Sequence, residues 1–240
     1  MNIIVTGCSR GVGLEICRVL LEQGNVVYGI ARSYTDEFKA LESEYEGKVF
    51  FKSVDLADCE NVRQNVFKDF CGNKVKIGGY VNNAAMAYDD IVTNLNLGRL
   101  KAMYDVNVFT PMMMSKNVIR NMLLHKTKGA IVHISSISAH TGYKGLAMYA
   151  SSKGALEAFS KDTAREWGPL GIRSNVVVPG FMATAMSSTL TDEQRGKIYA
   201  RTSLKAATSI RSVAETVAFL LSEKSESITG QNIHVDNGTI

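Results

Sequence analysis

Asn2-Ile3-Ile4-Val5-Thr6-Gly7-Cys8-Ser9-Arg10-Gly11-Val12-Gly13 opens with a short β-branched run, passes through glycines spaced G-x-x-x-G-x-G, and enters a helical pattern near 11–23. Glycine turns sharply and lets the backbone come close to a ligand. A helix that starts directly after such a turn points unpaired N–H groups at one spot and favours an anion there. Strand, glycine turn and helix in this order form the first half of a βαβ unit. Gly7, Ser9, Arg10, Gly11, Val12 and Gly13 are then the residues that cradle a dinucleotide pyrophosphate. The spacing is not the commoner G-x-G-x-x-G, so the weight rests on its place after the first strand.

The pattern continues outward from this unit. Strand-like runs fall at 3–6, 26–31, 49–54, 79–82, 130–135, 174–178 and 232–235, and helical patterns near 11–23, 35–45, 58–70, 97–125, 149–167 and 211–222. Short apolar strands alternating with helices predict an α/β fold, a doubly wound parallel sheet with helices on both faces. No repeat, linker or composition shift divides the 240 residues, and the expectation is one domain.

Composition excludes several classes. The net charge of +4 is scattered, without the basic stripe that nucleic-acid binding requires. No apolar run reaches the roughly 18 residues that span a membrane, and no basic and apolar leader precedes the first strand. Cys8, Cys17, Cys59 and Cys71 form no C-x-x-C pair, which suits reduced thiols and a cytoplasmic setting. His125, His133, His140 and His234 have no metal-ligand spacing with them, so no metal site is expected.

Around the glycine turn, Arg32 stands nineteen residues past Gly13, where an NAD site would carry Asp or Glu for the ribose hydroxyl. Arg10 lies inside the turn itself. Two guanidinium groups there suit a 2′-phosphate, hence NADP(H); the plain alternative is two solvated arginines. Asp55-Leu56 closes the third strand-like run. Asp55 either accepts from an adenine amino group or caps the next helix. Asn82-Asn83-Ala84-Ala85 closes the fourth: small Ala84 and Ala85 let the backbone pass close to a ribose, which makes Asn82 and Ala84 candidate cofactor contacts, or the four form an ordinary turn.

The chemistry is expected in Ser135-Ser136-Ile137-Ser138-Ala139-His140 and onward to Tyr149-Ala150-Ser151-Ser152-Lys153-Gly154. Tyr149 and Lys153 are four apart at the start of a long helix, on one face. A phenol near its ordinary pKa of about 10 exchanges protons poorly at neutrality, and a nearby ammonium favours the phenolate. Reaching pH 7 takes about 4 kcal/mol of differential stabilisation. Ser136 ends a strand, where its hydroxyl can hold a carbonyl oxygen. A polar strand end and an exposed helix would look the same.

Together these motifs resemble the short-chain dehydrogenase/reductase family from Asn2 to about Gly238. The resemblance is carried by T-G-x-x-x-G-x-G (6–13), D-L (55–56), N-N-A (82–84), Asn107 in Asp105-Val106-Asn107-Val108, Ser136, Y-x-x-x-K (149–153) and P-G-x-x-x-T (179–184). It implies a single-domain Rossmann fold of seven parallel strands and a homotetramer or homodimer joined through the long helices. It also implies a catalytic tetrad. Tyr149 is the general acid, Ser136 holds the substrate oxygen, and Lys153 tunes Tyr149 and binds the nicotinamide ribose. Asn107 holds a water that links Lys153 to solvent. Pro179-Gly180 would run beneath the nicotinamide, Thr184 would contact its carboxamide or a phosphate, and 181–206 would form a lid.

Within the family the likeness is to 3-oxoacyl-[acyl-carrier-protein] reductases, especially along Pro179-Gly180-Phe181-Met182-Ala183-Thr184-Ala185-Met186. NADPH-dependent reduction of a ketone, foremost a 3-oxoacyl thioester, is the implied activity. The alternatives are an NADP-linked alcohol dehydrogenase of a sugar, steroid or xenobiotic, and a non-catalytic NADP-binding sensor. Three departures stand out: Asn-Ala-Ala replaces Asn-Ala-Gly at 83–85, the Pro and Arg common after the lid are missing from 202–207, and Leu170 stands where enzymes acting on acyl carrier protein often have a basic residue. Lys126, Lys128, Lys161 and Arg165 are the candidate contacts to such a carrier. Phe181, Met182, Met186, Leu190 and Tyr199, with Met86, Tyr88, His140 and Tyr143, are the expected apolar wall of the substrate site, whereas Met112-Met113-Met114 reads as helix packing.

Overall fold

In the computed structural model, residues 1–72, 74–183 and 191–240 are described. Ile3 and Val5 alternate with Ile4 along β1 (Asn2–Thr6), and all three side chains are fully buried, on opposite faces of a sheet. Strand periodicity dictates this split. Each such side chain contributes about 1.5–3 kcal/mol on burial. After β1 come α1 (Gly11–Glu22), β2 (Val26–Ala31), α2 (Asp36–Glu44) and β3 (Val49–Ser53). The second half runs β4 (Ile77–Asn82), α3 (Leu97–Tyr104), α4 (Thr110–His125), β5 (Gly129–Ile134), α5 (Ala147–Trp167), β6 (Ile172–Pro179), α6 (Asp192–Tyr199), α7 (Ile210–Leu221) and β7 (Asn232–Val235).

The seven strands lie in the order β3-β2-β1-β4-β5-β6-β7, and every pairing is parallel. Helices α1, α2 and α7 pack on one face through Ile16, Leu20, Phe38, Leu41, Val213 and Val217. On the other face Met114, Val118 and Met122 of α4 join Val66 and Phe67. This is the single-domain, doubly wound Rossmann-type sheet that the sequence predicts. Because the chain runs outward from β1 to β3 and then returns to β4, a crevice opens between the carboxyl ends of β1 and β4.

Three helical expectations change. The segment 58–70 contains only a π-helical turn, Arg63–Lys68. Asp55 Oδ1 accepts from Ala57 N at 3.0 Å and Asp58 Oδ1 from Asn61 N at 3.3 Å, local side-chain bonds that hold the preceding backbone in turns. The expected helix 97–125 is interrupted by a π-helical stretch, Asp105–Phe109. Finally, α6 has a polar sequence without apolar periodicity; its start is secured by a capping box between Thr191 and Gln194.

Candidate active site

The glycine turn is built against β4. Gly7 has φ +66°, and a Cβ there would lie 2.8 Å from Ala84 Cα. A Cβ on Gly13 would lie 2.1 Å from the Gly7 carbonyl oxygen and 2.5 Å from Asn83 Nδ2. Asn83 supplies the tie: its Nδ2 donates to the carbonyls of Thr6 (3.0 Å) and Gly7 (3.1 Å). Thr6 Oγ1 accepts from the N–H groups of Asn83 (3.1 Å) and Ala84 (3.2 Å). Gly11, the first residue of α1, has φ +56° and only open space where a side chain would stand. Ser9 is buried, and its carbonyl accepts from Thr35 Oγ1 at 2.6 Å, which joins the turn to the N-cap of α2. Val12 packs on the core beneath. A cradle with bare backbone, an open side at Gly11 and a helix N-terminus beneath fits a pyrophosphate. Gly13→Ala is expected to cost about 1–3 kcal/mol of stability by overpacking. The checks are a lowered melting temperature and loss of dinucleotide binding in a fluorescence titration.

Arg10, the residue before α1, and Arg32, just after β2, are both exposed. Neither side chain has an ion pair or hydrogen bond among the described residues. Leu56 is buried, and its carbonyl accepts from Thr110 Oγ1 at 2.6 Å. Asp55 spends one oxygen on its own turn, as noted above. Asn82 does not face the glycine turn; its Nδ2 lies 3.3 Å from His133 Nδ1 inside the sheet. The neighbouring Asn83 reaches the glycine turn, because successive side chains of an extended segment alternate in direction.

Lys153 is 2% exposed, and its Nζ donates to the Ile134 carbonyl at 2.8 Å. Burial pulls its pKa down to about 8. Lys153 Nζ sits 5.6 Å from the centre of the Tyr149 ring. Tyr149 is half-buried against Tyr88, Met103 and Met148. The chain alone does not give the expected lowering of its pKa: burial, and after it the charge of Asp89, pushes the phenol up to about 12. The ammonium is spent on a carbonyl rather than aimed at the phenol. Behind Lys153, His133 is held neutral, its pKa taken down to about 3 by burial first and the lysine charge second. Ser136 caps a short 3₁₀ turn, its Oγ accepting from Ser138 N at 3.2 Å.

Asn107 lies in the π-helical stretch and is 1% exposed. Its Oδ1 accepts from Met86 N at 2.7 Å, and its Nδ2 donates to Met86 O at 2.9 Å and Ser152 Oγ at 3.0 Å. Among the described residues these side-chain contacts clamp the 86 region onto α5. Gly180 N donates to Val235 O at 2.9 Å, and a Cβ on Gly180 would meet Thr208 Oγ1 at 2.5 Å, so only glycine fits after Pro179. Thr184, Met186 and Leu190 lie outside the described residues. The rest of the expected apolar wall divides. Phe181 and Tyr199 rings approach to 6.0 Å, and Met182 packs on the core. Tyr88 is 1% exposed, and its hydroxyl accepts from Asn96 N at 2.7 Å, so it supports the wall and does not line it.

Lys126 and Lys128 precede β5, whereas Ser136 follows its carboxyl end. At about 3.3 Å per residue they stand roughly 25 Å away within one chain, and they do not rim the site. Leu170 is exposed at the same far end of the sheet. Among the described residues no group of three or more His, Cys, Asp and Glu could hold a metal ion.

A parallel sheet with a dinucleotide cradle at its switch point, and a Tyr–Lys helix face beside a strand-end serine, defines a nicotinamide-dependent oxidoreductase. A family model described as enoyl-(acyl carrier protein) reductase matches residues 7–239. The 3-oxoacyl-[acyl-carrier-protein] reductase FabG of Salmonella typhimurium strain LT2 is 34% identical over 239 residues, covering 98% of this chain and 95% of the relative. A solved short chain dehydrogenase/reductase family protein superposes with a TM-score of 0.87 at 26% identity, over 99% of this chain and 96% of the other. A blue fluorescent protein from a metagenomic library, in complex with NADPH, does so with 0.89 at 29% identity, over 99% and 97%. The chain belongs to the short-chain dehydrogenase/reductase family. It is an oxidoreductase that acts on CH–OH and C=O groups.

Proposed function

We propose that this protein reduces 3-oxoacyl thioesters to 3-hydroxyacyl thioesters with NADPH, with Asn107, Ser136, Tyr149 and Lys153 as its working residues. The observation that carries the reading is the pairing of Tyr149 and Lys153 on one face of α5, with Lys153 Nζ anchored at 2.8 Å to the carbonyl of Ile134, two residues before Ser136. That anchor holds the helix face against the strand end. The likeness to the Salmonella reductase supports the substrate class, and the NADPH-bound relative supports the cofactor.

NADPH, when bound, supplies the hydride to the carbonyl carbon. Gly7, Ser9, Arg10, Gly11, Val12 and Gly13 would hold its pyrophosphate, Arg10 and Arg32 its 2′-phosphate, and Pro179-Gly180 would pass beneath the nicotinamide. The Ser136 hydroxyl donates to the substrate oxygen and orients it. As negative charge grows on that oxygen, the Tyr149 hydroxyl donates its proton there, completing the alcohol. Buried Lys153 sets the field around the phenol, and Asn107 keeps the 86 region closed over α5. The phenol is protonated at neutral pH and so has a proton to give to the more basic alkoxide, although burial makes it a weaker acid than a free tyrosine.

The description of the matching family model names reduction of a C=C bond, whereas the serine–tyrosine pair is built to hold and protonate an oxygen. A panel of 3-oxoacyl thioesters, trans-2-enoyl thioesters and sugars, read by NADPH consumption, separates the readings. The 3-oxoacyl compounds are expected to be reduced and the enoyl compounds to be left intact. Activity confined to sugars or to enoyl thioesters would overturn the proposal. A carrier protein is expected to add only modest benefit over a small thioester, because Lys126, Lys128 and Leu170 lie at the far end of the sheet from the site. Residues 181–206, of which 184–190 lie outside the described residues, would serve as the substrate lid. A homotetramer or homodimer built through the long helices is supported by exposed Phe109 beside α4 and Leu123 and Leu124 on it, and light scattering measures it. A cytoplasmic setting is supported by four free cysteines, three of them buried.

A further inference from the structure

Glu157 is a carboxyl group in a mostly apolar interior, and none of the steps above uses it. It lies on α5, eight residues after Tyr149 and four after Lys153, on the same helix face. Its side chain is 10% exposed. Three polar groups from two separate parts of the chain, the loop after β5 and the start of β7, converge on it. Ser135 Oγ donates to Oε1 at 2.5 Å, His140 Nε2 lies 3.0 Å from the same oxygen, and Asn232 Nδ2 donates to Oε2 at 2.8 Å. Ser135 and His140 bracket Ser136 and its 3₁₀ turn, Ile137–Ala139. Asn232 begins β7 and so fixes the outer side. His140 is further packed edge to face against His234, with ring centres 4.7 Å apart.

Resting on the reading that Ser136 and Tyr149 both address the substrate oxygen, we propose that Glu157 is a positioning residue for carbonyl reduction. It clamps both ends of the Ser136 turn to the helix that carries Tyr149 and Lys153. The physical need is plain. Ser136 leaves the end of β5 in a loop and Tyr149 rides on a helix; among the described residues β5 and α5 are otherwise tied by the Lys153 bond to Ile134 and, deeper in the sheet, by the His133 ring against Phe159. A single acceptor that gathers Ser135 and His140 fixes the serine hydroxyl relative to the phenol. Misplacing a reacting group by about 1 Å costs on the order of 10²-fold in rate. A clamp with that consequence belongs on the rigid element that already bears the acid. Among the described residues Asn232 Oδ1 is buried without a hydrogen-bond partner, so Glu157→Gln can be received by a turn of the Asn232 amide: the new amide nitrogen donates to Oδ1, and the remaining oxygen still accepts from Ser135.

The test compares Glu157→Leu, Glu157→Gln, the double variant Ser135→Ala/His140→Phe, and Tyr149→Phe. Turnover is expressed per NADPH-binding site, counted by fluorescence titration, so misfolded protein does not count. The Leu variant is expected to lose on the order of 10²-fold in kcat with NADPH affinity unchanged, and to show a larger deuterium isotope effect from NADPH labelled at the transferred position. The Gln variant is expected to recover most of the turnover. The double variant is expected to repeat the loss, and it decides the matter if the Leu variant does not fold. Near-native kcat per site in the Leu variant, or in the double variant, overturns the positioning role. If Tyr149→Phe stays active, the underlying reading of the site has failed, and that result is distinct from a failure of the clamp alone.

Discussion

Tyr149→Phe is expected to lower kcat for carbonyl reduction by about 10²–10⁴-fold, the usual worth of a positioned general acid, while NADPH binding stays close to native. The ring keeps its packing against Tyr88, Met103 and Met148, so only the hydroxyl is lost. Steady-state rates with a 3-oxoacyl thioester, beside a fluorescence titration with NADPH, make the measurement. Near-native turnover would remove Tyr149 from its role. The pH profile gives a second handle. The phenol, held up at about 12, stays protonated across the working range, whereas Lys153, pulled down to about 8, changes charge within it. The profile of kcat/KM, which reports the free enzyme, is therefore expected to fall as pH rises through about 8, with the positive charge present on the acid side. A flat profile from pH 6 to 10 would contradict this.

Replacing Arg32 by Asp is expected to weaken NADPH by roughly 10²-fold and to narrow or reverse the preference over NADH. Charged hydrogen bonds contribute about 1.5–3 kcal/mol each, and two exposed arginines fall at the lower end of that range. Among the described residues neither guanidinium has an ion pair or hydrogen bond, and Asp36, the first residue of α2, is engaged with Lys39 at 2.8 Å. Arg10→Ala should lose less, since Arg32 remains. Comparing kcat/KM for the two cofactors in native and variant proteins settles the assignment; equal efficiencies in the native protein would refute it.

Periodicity carried most of the fold. Fully buried parallel strands such as β4 and β6 announce themselves as apolar β-branched runs, and their positions agree with the expected ones within two residues. The discrepancies are physical. A helical pattern from 97 to 125 cannot reveal the π-helical stretch at Asp105–Phe109, because one widened turn leaves the apolar stripe nearly intact. The helix α6 has no stripe at all. At the site, the Tyr149–Lys153 spacing and the glycine turn were readable because their partners are local. Asn83 was not singled out beside Asn82, since which of two adjacent amides reaches Thr6 depends on the direction in which the strand end points. The meeting of Glu157 with Ser135, His140 and Asn232 could not be read for a like reason. Asn232 is 75 positions away, and no spacing rule links it to a carboxyl group on α5.

The meeting of α1 with α7 has a consequence for how the molecule is made. The helix that opens under the pyrophosphate cradle is flanked by Ile210–Leu221, and Arg211 reaches across to Glu15 at 3.2 Å and Glu22 at 2.6 Å. Arg211 and Glu22 are 189 positions apart. A chain emerging from the ribosome at 5–20 residues per second, the usual pace of synthesis, therefore waits about 10–40 s before the flank of its first helix can be covered. During that interval the apolar side of α1 facing α7 is open to water and to chaperones. The cofactor half of the molecule, first to be translated, is among the last to be finished.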